Sequence, residues 1–99
     1  MIKHIVVWKL AATDDSAKAE ATEEIRAVLT PLVDVIEGLR TLTVHANEAY
    51  FDMNWDVVLL SEFDSFEALA EYQVHPQHVA AAAVVHSHTT QRAGVDIEV

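Results

Sequence analysis

From Ile2 to Leu10 the chain alternates, with Ile2, His4, Val6, Trp8 and Leu10 on one side and Lys3, Ile5, Val7 and Lys9 on the other. Period-two spacing of β-branched and aromatic residues predicts a strand, and apolar side chains in the middle of both sides predict cover on both faces. Beyond the turn-like Thr13-Asp14-Asp15-Ser16 the rhythm lengthens: Ala17, Ala21, Ile25, Leu29, Leu32 and Ile36 recur every three or four residues, as on an amphipathic helix. Asp14 and Asp15 suit the positive end of that helix. Pro31 has no amide hydrogen to donate, so the helix should kink or break near Thr30, and Gly38 should end it.

Alternation returns over Leu39 to His45 and Trp55 to Phe63, two further strands separated by a loop over 46–53. In the first of these Leu39, Thr41, Thr43 and His45 oppose Arg40, Leu42 and Val44. Asp64 with Glu67 three positions later predicts a helix start, leading through Phe66, Leu69, Ala70 and Tyr72. Pro76 disfavours a helical His75 and suits the first position of a new helix, so the alanine-rich run to about His86 is a separate piece. Ala93, Val95, Ile97 and Val99 alternate with Gly94, Asp96 and Glu98, a half-buried last strand. The order β-α-β-β-α-β predicts an α+β, ferredoxin-like fold, a four-stranded antiparallel sheet with helices on one face. The other face then carries Trp8, Val6 and Val57 or their neighbours, and a bare apolar surface of that size predicts a partner. No repeat or linker interrupts the 99 residues, so one domain spanning 1–99 is expected.

Charge narrows the function classes. Sixteen acidic residues against six scattered basic ones give a net charge of -10, which argues against a nucleic-acid or membrane-surface role. The absence of cysteine excludes disulfides, thiolate catalysis and cysteine-ligated zinc, and fits a reducing compartment. MIKHIVVWKL is too short in its apolar run for a signal peptide, and no stretch reaches the ~20 apolar residues of a membrane span, so a cytoplasmic protein is expected. A chain this short buries only about 60–70 per cent of its unfolded surface, and a second subunit would add core.

The candidate chemistry centres on EYQVHPQHV, residues 71–79. A neutral imidazole at His78 could act as a base near neutral pH, and the Tyr72 hydroxyl could donate a hydrogen bond to a developing oxyanion. The same spacing also fits a tyrosine covering the edge of the core and histidines marking a helix junction. His75-x-x-His78 and His86-x-His88 raise a metal site, but Pro76 interrupts the first pair and zinc needs three or four convergent ligands, so neither metal nor cofactor is assigned.

KHIVVWKL at the start, Leu39 to Val44 after a glycine, Phe63-Asp64-Ser65 before the second helix and Tyr72-x-x-His75-Pro76-x-His78-Val79 together resemble the stress-responsive A/B barrel family of the dimeric α+β barrels. The resemblance covers essentially the whole chain. It implies two ferredoxin-like subunits packed sheet against sheet as a homodimer, with a small-molecule cavity between sheet and helices in each. Members of that family include plant polyketide cyclases, which close a linear poly-β-ketoacyl thioester without a cofactor; the resemblance carries their tyrosine–histidine pair onto Tyr72 and His78 and a pocket histidine onto His4. Val6 and Trp8 on the first strand and Val57 on the third complete the candidate substrate-binding set. Two departures separate the chain from those cyclases: Val57 stands where they carry a histidine, and Arg26, Ala27 and Val28 offer no counterpart to their first-helix aromatic. The resemblance therefore implies either a cyclase-like or isomerase-like enzyme acting on a small hydrophobic or poly-carbonyl molecule, or a non-catalytic barrel that binds a ligand or has a structural role.

Overall fold

A computed structural model describes all 99 residues. Strand β1 (Ile2–Leu10) leads to helix α1 (Asp15–Leu29), a 3-10 turn (Thr30–Asp34), strands β2 (Leu39–Ala46) and β3 (Val57–Phe63), helices α2 (Phe66–Val74) and α3 (Pro76–His88), and strand β4 (Thr89–Glu98). The sheet runs β2-β3-β1-β4 with every neighbouring pair antiparallel, the ferredoxin-like arrangement. No helix is long and apolar enough to cross a membrane.

Local chemistry sets the element ends. Asp14 opens α1 by accepting from the Ala17 amide at 2.8 Å. The α-helix stops at Leu29, and Pro31 turns the continuation into the tighter 3-10 form, which still buries Leu32. Ser65, not Asp64, caps α2, because its hydroxyl accepts from the Ala68 amide at 3.1 Å. Asp64 is held by Arg40 of β2 in a two-pronged pair, Nε to Oδ1 at 2.5 Å and Nη2 to Oδ2 at 2.9 Å. Gly38 has φ +86°, and a Cβ there would stand 2.7 Å from the Cβ of Ala68. Only glycine allows β2 to start this close to α2.

The helices decide which of the two apolar sides of the sheet is covered. Val6, Trp8 and Val57 do not form the uncovered face; they are buried with Ile2, Leu10, Leu59 and Phe63 under the helices, against Ala21, Ile25 and Leu29 of α1. Their neighbours Ile5, Val7, Val58 and Leu60 lie on the open face, joined by Val95 and Ile97. A register shift between Leu39 and Thr41 brings Leu39 to the same buried side as Leu42 and Val44, although strict alternation separates them. β3 begins at Val57, leaving Trp55 in the loop beneath the Lys9 ammonium, 5.4 Å from its ring centre. β4 begins at Thr89, earlier than its alternation suggests, and from Thr90 onward its residues are exposed because no helix covers this edge.

Candidate functional site

Proline 76 creates the site. His75 has extended ψ of 132°, so the chain leaves α2 and re-enters α3 in a new direction, and the His75 ring closes the junction by accepting from the Gln77 amide at 3.1 Å. The junction brings the last turn of α2 against the first turn of α3. Tyr72 and His78 consequently face one another with ring centres 4.1 Å apart.

Both rings border a cavity of about 400 Å³ between the sheet and helices, within the range of small-molecule sites. Its floor is His4, Val6 and Trp8 of β1 with Leu59 of β3; its wall includes Leu29, Ala82 and Val85 from the helices, and Gln73, His86 and Arg92 stand around it. Five of the six residues proposed from sequence thus meet in one place. Val57 does not: it pairs with Trp8 at the end of β3, is 2 % exposed, and borders a separate hollow beside Trp55. Leu59, opposite Val6 and one step nearer, takes that position in the cavity.

Burial gives the two facing groups complementary protonation. Tyr72 is 1 % exposed, and its desolvation pushes the phenol pKa up to about 12 against a smaller lowering by Arg92, so it remains a proton-bearing donor. Its hydroxyl has no hydrogen-bond partner in the chain, yet no sealed side-chain polar atom lacks one, so this oxygen opens onto the cavity. Desolvation, chiefly, lowers the His78 pKa, with the charges of His4, Arg92 and His75 acting in the same direction, and the hydrogen bond to Gln73 opposing. The His78 Nδ1 lies 3.3 Å from the Gln73 carbonyl, which can only accept; Nδ1 carries the proton, and Nε2 presents a lone pair.

A third ring is fixed from the sheet. His4 is buried, packs edge-on to Tyr72 and Phe63 at 6.3 and 6.1 Å between centres, and has its Nδ1 2.5 Å from Asp96 Oδ1. A carboxylate oriented onto one imidazole nitrogen sets the ring and leaves Nε2 without a hydrogen-bond partner in the chain. Arg92 and His86, which border the cavity, and Asp96, which stands outside its lining and holds His4, were not visible in the sequence. Asp96 and Arg92 read as the polar side of an edge strand and His86 as a helix end; only the pairing of His4 with Asp96 and Trp8 with Arg92 across β1 and β4 brings the two strand residues to the site. His88 turns away to Glu24, and nowhere do three histidine, aspartate or glutamate side chains converge as a metal would require.

The stress-responsive A/B barrel domain matches residues 2–99. The chain belongs to that family. A dimeric ferredoxin-like protein of unknown function from Bacteroides fragilis is 30 % identical over 99 % of this chain and 95 % of its own, with a TM-score of 0.87. An Arabidopsis thaliana protein is 26 % identical over 99 % and 94 % of the two chains, at a TM-score of 0.79. A dimeric ferredoxin-like protein from Thermobifida fusca, also of unknown function, shares the fold at 23 % identity, 99 % and 90 % coverage and a TM-score of 0.81. No match is found among curated proteins. The stress-responsive A/B barrel fold thus accounts for the whole β1-to-β4 frame on which the cavity is built.

Proposed function

We propose that this stress-responsive A/B barrel protein is a single-domain, cofactor-free acid–base catalyst that pairs with a second copy through its open sheet face. Its substrate is a small poly-carbonyl compound, and the reaction is cyclisation or isomerisation. The observation that carries this reading is the contact of Tyr72 with His78 in one cavity, one group kept protonated by burial and the other kept neutral by it. Pairs of titratable groups whose surroundings drive their proton affinities apart are the usual means of running acid and base steps together at neutral pH.

In that reaction Nε2 of His78 removes a proton from a methylene between two carbonyls, and the enolate oxygen accepts a hydrogen bond from Tyr72. The enolate carbon attacks a second carbonyl of the same molecule, forming the ring bond, and the imidazolium returns its proton to the resulting alkoxide. Held by Asp96, His4 orients a carbonyl through Nε2. The exposed Leu60, Val95 and Ile97 and the dimeric state of the B. fragilis and T. fusca relatives support pairing through the open face.

The test is turnover of a panel of linear poly-β-keto thioesters and acids, with product analysis of every compound that stabilises the fold. Loss of His78 as a base should lower kcat/KM about 10²- to 10⁴-fold in His78→Ala, with the circular dichroism spectrum unchanged. Tyr72→Phe should lower it less, because the ring packing survives. Compounds that bind wild type yet return unaltered would replace catalysis by a binding role.

A further inference from the structure

We propose that the cavity selects anionic ligands, and that Arg92 holds their carboxylate. This rests on the cavity being a ligand site and names its substrate class: an acid, such as a β-keto or aromatic carboxylate, in preference to a neutral ester or amide.

The charge around the cavity reverses that of the protein. The chain has sixteen acidic and six basic residues, yet no aspartate or glutamate borders this cavity, while one arginine and three histidines do. Arg92 is also the arginine left without a carboxylate: Arg26 pairs with Glu23 and Arg40 with Asp64. The acid closest along its own strand face, Asp96, is engaged by His4 at 2.5 Å. Gly94 lies between them and clears the path of the arginine, since a Cβ there would come 3.3 Å from Nη1 and 3.4 Å from Nη2.

The guanidinium is therefore laid along the sheet at the cavity rather than spent on a surface pair. Its positive charge reaches inward far enough to oppose protonation of His78 and to favour ionisation of Tyr72. A planar guanidinium with both Nη groups free matches a carboxylate in the two-pronged geometry that a lysine cannot reproduce.

Isothermal titration of the purified protein with salicylate against salicylamide, and 2-naphthoate against 2-naphthamide, tests this without any need for turnover. The acids should bind wild type at least about tenfold more tightly than their amides, a difference of about 1.4 kcal/mol. Arg92→Gln should reduce that preference to within about twofold, and Arg92→Lys should keep part of it, because charge remains while the fork is lost. Arg92 is exposed on the edge strand, and circular dichroism of both variants checks that the fold is retained. Equal binding of acid and amide to wild type, or a preference that survives Arg92→Gln, overturns the anion site and leaves the ligand pocket standing. Failure of all four compounds to bind overturns both.

Discussion

On the helix-covered face of the sheet Ile2, Val6, Leu59 and Phe63 are 2 % exposed or less, while on the opposite face Leu60, Val95 and Ile97, chemically alike, remain 42 to 58 % exposed. Residue type does not separate the two; what lies above them does. The covered face has its complement within the chain, from Ile25 and Leu29 of α1 to Val85 of α3, and includes the buried polar residues His4 and Ser61. Those polar groups are compatible with burial because each is bonded, His4 to Asp96 and the Ser61 hydroxyl to the His4 carbonyl at 2.8 Å. The open face has apolar side chains without intrachain cover, as expected of a surface completed by another copy.

The strongest way to break this contrast is to remove a side chain from the covered face. Phe63→Ala deletes a fully buried ring that packs edge-on against Tyr72 with ring centres 4.9 Å apart, and should cost about 3–5 kcal/mol in urea denaturation at fixed protein concentration. A loss below about 1 kcal/mol would mean that the face is not the rigid core described. Next in size, Leu60→Asp on the open face should weaken self-association by about 2 kcal/mol or more, roughly thirtyfold in Kd, with little change in secondary structure. Sedimentation across a dilution series checks it; unaltered association, or a wild type that is monomeric throughout, would show that the open face is not the interface.

The same contrast explains what the sequence could disclose. Strand and helix order followed from periodicity, and Pro31 and Pro76 marked real breaks because a missing amide donor acts locally. Which side of β1 faces the helices did not follow, because Val6 and Trp8 on one side and Ile5 and Val7 on the other are equally apolar, and only tertiary cover decides between them. Tyr72 and His78 were visible as neighbours across one proline. Asp96 was not visible as the partner of His4, since 92 residues of chain separate them and strand register alone unites them. The exchange of Val57 for Leu59 is also a matter of register, two residues along β3. Ser65 and Asp64 are equivalent as helix caps by type; Arg40, arriving from β2, takes the aspartate and leaves the serine.

The smallest expected effect probes the covered face through protons rather than through packing. His78 has its pKa lowered from the ordinary 6.5 on folding, mainly by desolvation, so the folded protein binds a proton there less readily than the unfolded chain does. Above pH 6.5 both states hold His78 neutral, and its neutrality carries no penalty. As pH falls below that value the unfolded state protonates first, and stability is lost until the folded-state pKa is passed. Half-burial leaves the ring partly screened by water, which keeps the change below those at Phe63 and Leu60. His78→Gln removes the titration, so the difference in urea midpoint between wild type and this variant should shift against wild type from about pH 7.5 to about pH 5. A difference that stays constant across that range would mean His78 is as free to protonate in the fold as in water, and would remove the desolvation assigned to it beside Tyr72.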